Sequence, residues 1–268
     1  MSFSPEGYLN RIGWRGPIEP TLATLTALLR AHIARIPFEN LDVLLGRGIR
    51  IDLDSVYAKL VTARRGGYCY EHSTLFGAAL EHAGFRPLLH AARVVMVTPR
   101  ASAPRTHMFL SVEIAGTTFA LDPGFGGHGP LVPMPRVADR IVRDGNDAHR
   151  FTRRDGEWLL EAEIGGVMTP LWMSTFESES PADFVMANHF TSTWPRSAFV
   201  ERLMLRALTP DGRRVSLMNR DVTVARDGMF EKSQLKDRAA LRALLSSDFG
   251  IDLPEVETLR IPSVPEWM

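Results

Sequence analysis

The chain reads as an α+β protein in which helices come first, strands follow, and a small mixed unit closes. Three observations predict this. Apolar residues recur at three-and-four spacing through the first ninety residues, the period changes to two from about Ala91, and after about Phe199 strands and a helix alternate around short turns. With 268 residues the chain can hold two or three cores, since domains run to about 100–150 residues each. The expected division is a helical unit over 1–90, a strand-rich unit over 91–187, and a connecting segment with an α/β unit over 188–268.

In the first unit, Thr21–Arg35 places Leu22, Leu25, Leu28, Leu29, Ile33 and Ile36 on one stripe, with Thr21 as N-cap and Pro37 closing it. A second helix is expected from Asp54 to Ala63. A third starts near Cys69 and carries Leu75, Phe76, Ala79, Leu80 and Ala83 on one side before Gly84 ends it. Strands are expected at Ala91–Thr98, His107–Ile114, Thr117–Asp122 and Trp158–Ile164, and Gly124–Pro135 as a long loop. In the last unit Arg202–Leu208 and Val215–Val224 read as strands around Pro210–Gly212, Arg226–Gly228 as a turn, and Asp237–Ser247 as a helix stopped near Gly250.

Composition narrows the function. The 31 basic and 31 acidic residues cancel, so nucleic acid is not an expected partner. Apolar residues make up 45% of the chain, yet no run reaches the roughly 18–20 residues of a membrane span, and the first residues lack a basic-then-apolar signal pattern. A cytoplasmic protein that avoids the membrane is expected. Cys69 is the only cysteine, which excludes an intrachain disulfide and any CxxC metal or redox motif.

Cys69 lies in RRGGYCYEHSTLF, between a Gly66-Gly67 pair and the expected first turn of a helix. A free thiol has a pKa near 8.5, and a helix N-terminus or an imidazolium partner lowers it by stabilising thiolate. A lone cysteine is more often an inert core atom, so a histidine and an acid placed to serve it decide the matter. Of eight histidines, His72 is close on the same helix but has no evident acid; His32, His82 and His90 fit helix faces or element ends; His128 and His149 lie in loops, and His189 lies in the segment after the strands.

His107 is distinguished by its strand. Met108, Leu110, Val112 and Ile114 form one apolar face, leaving His107, Phe109, Ser111 and Glu113 on the other. A two-residue turn at Ala115-Gly116 pairs Val112 with Phe119 and Leu110 with Leu121, completing the apolar face across both strands. The same register sets Asp122 on the face of His107 as its diagonal neighbour, roughly 7–8 Å away at Cα. Cysteine, histidine and aspartate would then act as nucleophile, base and orienting acid.

These residues resemble the arylamine N-acetyltransferases. RGGYCYE at Arg65–Glu71 is similar to that family's nucleophile motif, Thr106-His107 to its histidine strand, and DPGFG at Asp122–Gly126 to its acid-bearing turn; Tyr8–Gly13, Ile36–Val43 and Asn188–Phe199 also look like family signatures. The resemblance implies an N-terminal helical bundle, a β-barrel-like second domain and a C-terminal α/β lid around a cysteine-protease-like Cys-His-Asp core. It implies Cys69, His107 and Asp122 as catalytic residues, ping-pong transfer from acetyl-CoA through a thioester on Cys69, and an arylamine, arylhydrazine or N-hydroxyarylamine acceptor. Acetyl-CoA would be a cosubstrate, with no permanently bound cofactor and no metal. Phe38, Tyr70, Phe125 and Phe199 would line the acceptor site, Gly126 and Gly127 would meet CoA, and Glu39 with Arg65 would form a buried ion pair supporting the nucleophile turn.

The chain departs from the family pattern at two places. Ser73 stands where asparagine is usual, a shorter hydrogen-bonding group near the active centre, and Trp194 replaces a histidine near Pro195 in a way that bears on acceptor selectivity. Cysteine hydrolases and transglutaminases, macrolactam-closing amide synthases, and an inactive CoA-binding relative remain the alternatives, and homodimerisation stays open.

Overall fold

The computed structural model of the chain describes residues 2–226 and 228–267. Its helical part comprises α1 (Pro5–Ile12), α2 (Leu22–Arg35), α3 (Leu41–Leu44), α4 (Leu53–Tyr57) and α5 (Cys69–His82), with a two-residue strand, β1 (Phe38–Glu39), between α2 and α3. The Thr21 hydroxyl accepts the Thr24 N–H at the start of α2, which ends before Pro37. The helix expected from Asp54 starts at Leu53, because Asp52 caps it through the Ser55 N–H. Its second half, Ala58–Thr62, widens to i→i+5 bonding, and the Ala63 N–H reaches Ala58 O at 2.9 Å. α1 was not among the expected elements; Ser4 caps it and Pro5 occupies its first turn.

An eight-stranded antiparallel sheet follows: β2 (Leu88–Val94), β3 (His107–Ile114), β4 (Thr117–Leu121), β5 (Met134–Pro135), β6 (Val142–Asp144), β7 (Asp147–Arg154), β8 (Glu157–Ile164) and β9 (Val167–Ser174). The order is β5-β4-β3-β2-β9-β8-β7-β6. The sheet curls into a nearly closed barrel, since the chain after β5 reaches β7, where Ala138 bridges Phe151 and the Asp139 N–H donates to Phe151 O at 2.7 Å. The first strand was expected three residues later than it lies; after Val94 the backbone departs, although the Val95 N–H still bonds Leu171 O.

The β3–β4 hairpin has the expected register, with Leu110 opposite Leu121 and Val112 opposite Phe119. Ala115 and Gly116 form its turn at φ 49° and 75°, the left-handed pair that matches strand twist. Both faces of β3 are buried. Leu110, Val112 and Leu121 close the bundle core formed by Leu25, Leu28 and Phe76, while Phe109 and Ala120 enter the barrel core with Phe151, Leu160 and Trp172. The hairpin is therefore the shared wall between bundle and barrel.

The rest of the chain forms α6 (Pro181–Thr193), α7 (Ala198–Glu201), β10 (Met204–Leu208), β11 (Arg214–Met218), β12 (Asp221–Arg226), β13 (Met229–Gln234) and α8 (Arg238–Leu244), with α8 continuing as a wider turn over Leu245–Phe249 to Gly250. The single strand expected over Val215–Val224 is a hairpin, because Asn219 takes φ 57° and turns the chain. Of the expected Arg226–Gly228 turn, Asp227 lies outside the described residues. These strands form a second sheet, β1-β10-β11-β12-β13, covered by Leu241, Leu245 and Phe249. β1 is its edge, with Phe38 opposite Arg206, so the first helices are stitched to the last unit. Among the described residues no helix is long and apolar enough to cross a membrane.

A buried charge cluster locks β1, α4 and α5 together. Arg65 Nη2 lies 2.7 Å from Glu39 Oε1 and 3.2 Å from Asp42 Oδ1, and Lys59 Nζ lies 2.8 Å from Glu71 and 3.1 Å from Asp42. Three carboxylates face two cations. Burial and the neighbouring Glu39 raise Glu71 to about 7 against the opposing pull of Lys59. Glu39 Oε2 also accepts the Leu41 N–H, and Glu71 Oε2 the Tyr68 N–H.

Glu39→Ala leaves the Arg65 guanidinium with Asp42 alone, and a loss of about 3 kcal/mol is expected in urea unfolding, the low end for one partner of a buried pair. In the opposite direction, Ala115→Asn relieves a left-handed alanine and should add about 1 kcal/mol by the same measurement.

Candidate active site

Cys69 is the first residue of α5 and is 3% exposed. Glu71 fixes the helix start by accepting the Tyr68 N–H at 3.1 Å. The two preceding glycines are required by space. A Cβ on Gly67 would lie 2.6 Å from Glu71 Oε2, and one on Gly66 would strike the Pro37 carbonyl oxygen. The sulfur thus sits at the positive end of a 14-residue helix.

His107, first residue of β3, faces this sulfur. Its Nε2 is 2.9 Å from Asp122 Oδ2, and the Cys69 side chain is near enough to bear on its protonation. With Nε2 engaged by the carboxylate, Nδ1 is the nitrogen left for sulfur. Burial by itself lowers the imidazole, but the Asp122 charge and hydrogen bond, then Cys69, outweigh it and lift His107 to about 10. The ring is therefore an imidazolium at neutral pH. Asp122 Oδ2 accepts a second hydrogen bond, at 2.9 Å from Trp172 Nε1, while Oδ1 is buried without a protein partner among the described residues.

Trp172 was not singled out by the sequence reading. It lies in β9, a strand that Pro170 obscures, yet Gly165-Gly166 after the expected Trp158–Ile164 strand is a two-residue hairpin signal that points to it. Its ring stacks on Phe109 with centroids 4.4 Å apart, which fixes the indole N–H towards the acid.

The Asp122–Gly126 turn lies directly on Cys69. A Cβ on Gly124 would come within 2.6 Å of Cys69 Cα and 2.9 Å of His72 Cβ, so only glycine lets the two segments meet. Phe125 packs edge-on against His107 with centroids 5.2 Å apart. Phe38 and Phe199 are neighbours at 6.2 Å, and Tyr68 contacts Phe199 at 5.3 Å. Tyr70 packs edge-on against Tyr68 with centroids 5.4 Å apart; it is fully buried and donates its hydroxyl hydrogen to Thr106 O at 2.8 Å, the same carbonyl oxygen that Cys69 Sγ approaches at 3.9 Å.

Gly126 and Gly127, at φ 69° and 46°, line a cleft of about 540 Å³, part of it open to solvent, together with Phe38, Asp122 and Arg206. Ser73 is fully buried and donates to Met108 O at 3.1 Å, joining α5 to the histidine strand. Trp194 ends α6 on the surface, stacked on Phe190. His72 turns away from Cys69. Its Nε2 faces Pro37 O at 3.2 Å, so Nδ1 accepts from His32 Nε2 at 2.9 Å, whose own Nδ1 accepts from Tyr8 at 2.9 Å. Burial pushes His72 down to about 4 and His32 well below its usual range, which keeps this chain neutral.

Comparison with known proteins identifies the family. The N-acetyltransferase family profile matches residues 21–258. The arylamine N-acetyltransferase of Mycolicibacterium smegmatis is 37% identical over 261 residues, which cover 96% of this chain and 94% of that protein. The solved arylamine N-acetyltransferase of M. tuberculosis superposes with a TM-score of 0.90 at 36% identity, covering 94% of this chain and 96% of that one. The Mycobacterium marinum arylamine N-acetyltransferase, solved in complex with CoA, superposes with a TM-score of 0.89 at 34% identity and 94% coverage of both. With a family profile over most of its length and relatives of this identity and coverage, the chain belongs to the arylamine N-acetyltransferase family and is an acyltransferase.

Proposed function

We propose that the protein acetylates an arylamine, arylhydrazine or N-hydroxyarylamine at the expense of acetyl-CoA, by ping-pong transfer through Cys69. The observation that carries this reading is the row from Cys69 through His107 to Asp122, with the 2.9 Å contact of His107 and Asp122 buried from water. The CoA complex of the M. marinum relative supports the donor.

In the first half-reaction the Cys69 thiolate attacks the thioester carbonyl carbon. The bond from that carbon to the sulfur of CoA breaks, and the departing CoA thiolate takes the proton held by His107. In the second, the amine nitrogen attacks the acetyl carbon on Cys69. The carbon–Sγ bond breaks, neutral His107 takes the amine proton, and the thiolate–imidazolium pair is restored. Asp122 holds the ring orientation and its charge throughout, and Trp172 holds Asp122.

Phe38, Phe125 and Phe199 would line the acceptor path, with Tyr70 beneath them holding the Thr106 carbonyl. Gly126 and Gly127 would meet CoA at the cleft, and Ser73 would keep α5 in register with His107.

Intact-mass measurement after incubation with acetyl-CoA should show one acetyl group per chain, none in Cys69→Ala, and a strong reduction in His107→Ala. Absence of the adduct at neutral pH would sink the thioester route. A second test follows from the raised His107. Iodoacetamide should modify Cys69 in the native protein at neutral pH, and Asp122→Asn, which frees the imidazole from its 2.9 Å contact, should slow that reaction. Because folded His107 keeps its proton up to about 10 against 6.5 for the usual group, its contribution to stability is complete below about pH 6.5. That contribution disappears as pH rises through about 10, which urea unfolding across this window should reveal.

A further inference from the structure

Arg206 projects from β10 into the cleft behind the glycine loop. Its Nη1 donates to Leu205 O at 2.6 Å and to Leu217 O at 2.8 Å, which pins the guanidinium to the second sheet. No carboxylate pairs with it among the described residues, and its Nε and Nη2 have no protein acceptor there. The neighbouring cation Arg214 differs in this respect, since it is paired with Asp147. Desolvation lowers Arg206 with no opposing carboxylate, so the cleft holds a mostly buried positive charge that protein groups do not balance.

The loop is shaped around this charge. A Cβ on Gly126 would lie 3.2 Å from Arg206 Cγ and from Phe38 Cγ, and one on Gly127 would lie 3.6 Å from Arg206 Nε. Two glycines thus leave the edge of the guanidinium uncovered. Asp122 also lines the cleft, but its charge is matched by the His107 imidazolium, so it offers Arg206 no partner and an incoming anion little repulsion. Ile33, Ile36 and Leu208 make much of the remaining wall apolar, with Ser216 and the paired Arg214 its polar members. The uncovered Nε–Nη2 edge has the geometry that takes two oxygens of one anionic group.

We infer that Arg206 anchors an anionic oxygen group of a substrate, a phosphate or a carboxylate, in the cleft between the glycine loop and the second sheet. The inference rests on the acyl-transfer reading for what the substrates are. Two sources carry that chemistry: the phosphates of acetyl-CoA, and a carboxylate on the aromatic ring of the amine.

Steady-state kinetics of the full chain distinguish them, with acetyl-CoA or S-acetylpantetheine as donor and p-anisidine or p-aminobenzoate as acceptor. If the phosphate is anchored, Arg206→Gln raises the KM of acetyl-CoA about tenfold and leaves that of S-acetylpantetheine unchanged. If the carboxylate is anchored, the KM of p-aminobenzoate rises about tenfold while those of p-anisidine and acetyl-CoA stay put. Arg206→Lys should fall between wild type and Arg206→Gln in either case, and decides the matter if the glutamine variant fails to fold. Unchanged KM for both charged substrates overturns the inference, as does an equal loss for charged and uncharged ones. If the wild-type protein transfers no acetyl group, the acyl-transfer reading fails separately. Calorimetric titration with inorganic pyrophosphate and p-aminobenzoate then reads the anchor directly: binding weakened in Arg206→Lys supports it, and binding of neither overturns it.

Discussion

One carboxylate oxygen organises the centre of this molecule. Asp122 Oδ2 receives both the His107 ring and the Trp172 indole at 2.9 Å. The two donors arrive from different strands of one barrel, so the acid is positioned only when β3, β4 and β9 are all in register. A buried carboxylate is costly without such partners. Here it is balanced by an imidazolium that the same burial would otherwise discharge, and each charge is kept by the other. The sulfur enters as the third member because α5 lies against the outer face of the same hairpin.

The surroundings of Cys69 keep charge in its place. In front, the acid–imidazolium pair supplies a proton at one nitrogen. Behind, Tyr8, His32 and His72 form a chain whose donors all point one way, ending on Pro37 O, and whose imidazoles burial holds neutral. To the side, Lys59 and Arg65 tie three carboxylates to the helix start without touching the sulfur. Of these three systems, only the acid–imidazolium pair faces the sulfur. Glycines at 66, 67 and 124 let the segments approach within a distance that a methyl group would forbid.

Much of this was legible in the sequence because it rests on local periodicity. The turn at Ala115-Gly116 fixes the pairing of Leu110 with Leu121, and that pairing alone brings His107 and Asp122 to one face. The start of α5 is announced by its glycines and Glu71. What escaped depends on contacts between distant segments or on broken patterns. Pro170 disguises β9 and with it Trp172, while Asn219 hides a hairpin inside an apparently continuous strand. The apolar stripe of α6 is split between a buried side at Phe184 and exposed Val185 and Met186, so its period is weak. The uncompensated state of Arg206 has no sequence signal at all, because it consists in what the fold leaves away from that side chain.

One of the two shortest strands has consequences for how the protein comes into being on the ribosome. β1 is two residues long, yet Phe38 and Glu39 pair with Arg206 and Leu205, and the neighbouring Asn40 side chain bonds the backbone of Phe199, Arg202 and Met204. Those partners are synthesised long after Cys69, His107 and Asp122 have emerged. A nascent chain halted before β10 carries Cys69, His107 and Asp122 and can pair β1 with Gly67, but leaves the other edge of β1 without its partner. This part of the fold is completed near the end of synthesis by residues far along the chain from Cys69, His107 and Asp122, and long-range closure of this kind is the slow class of folding event.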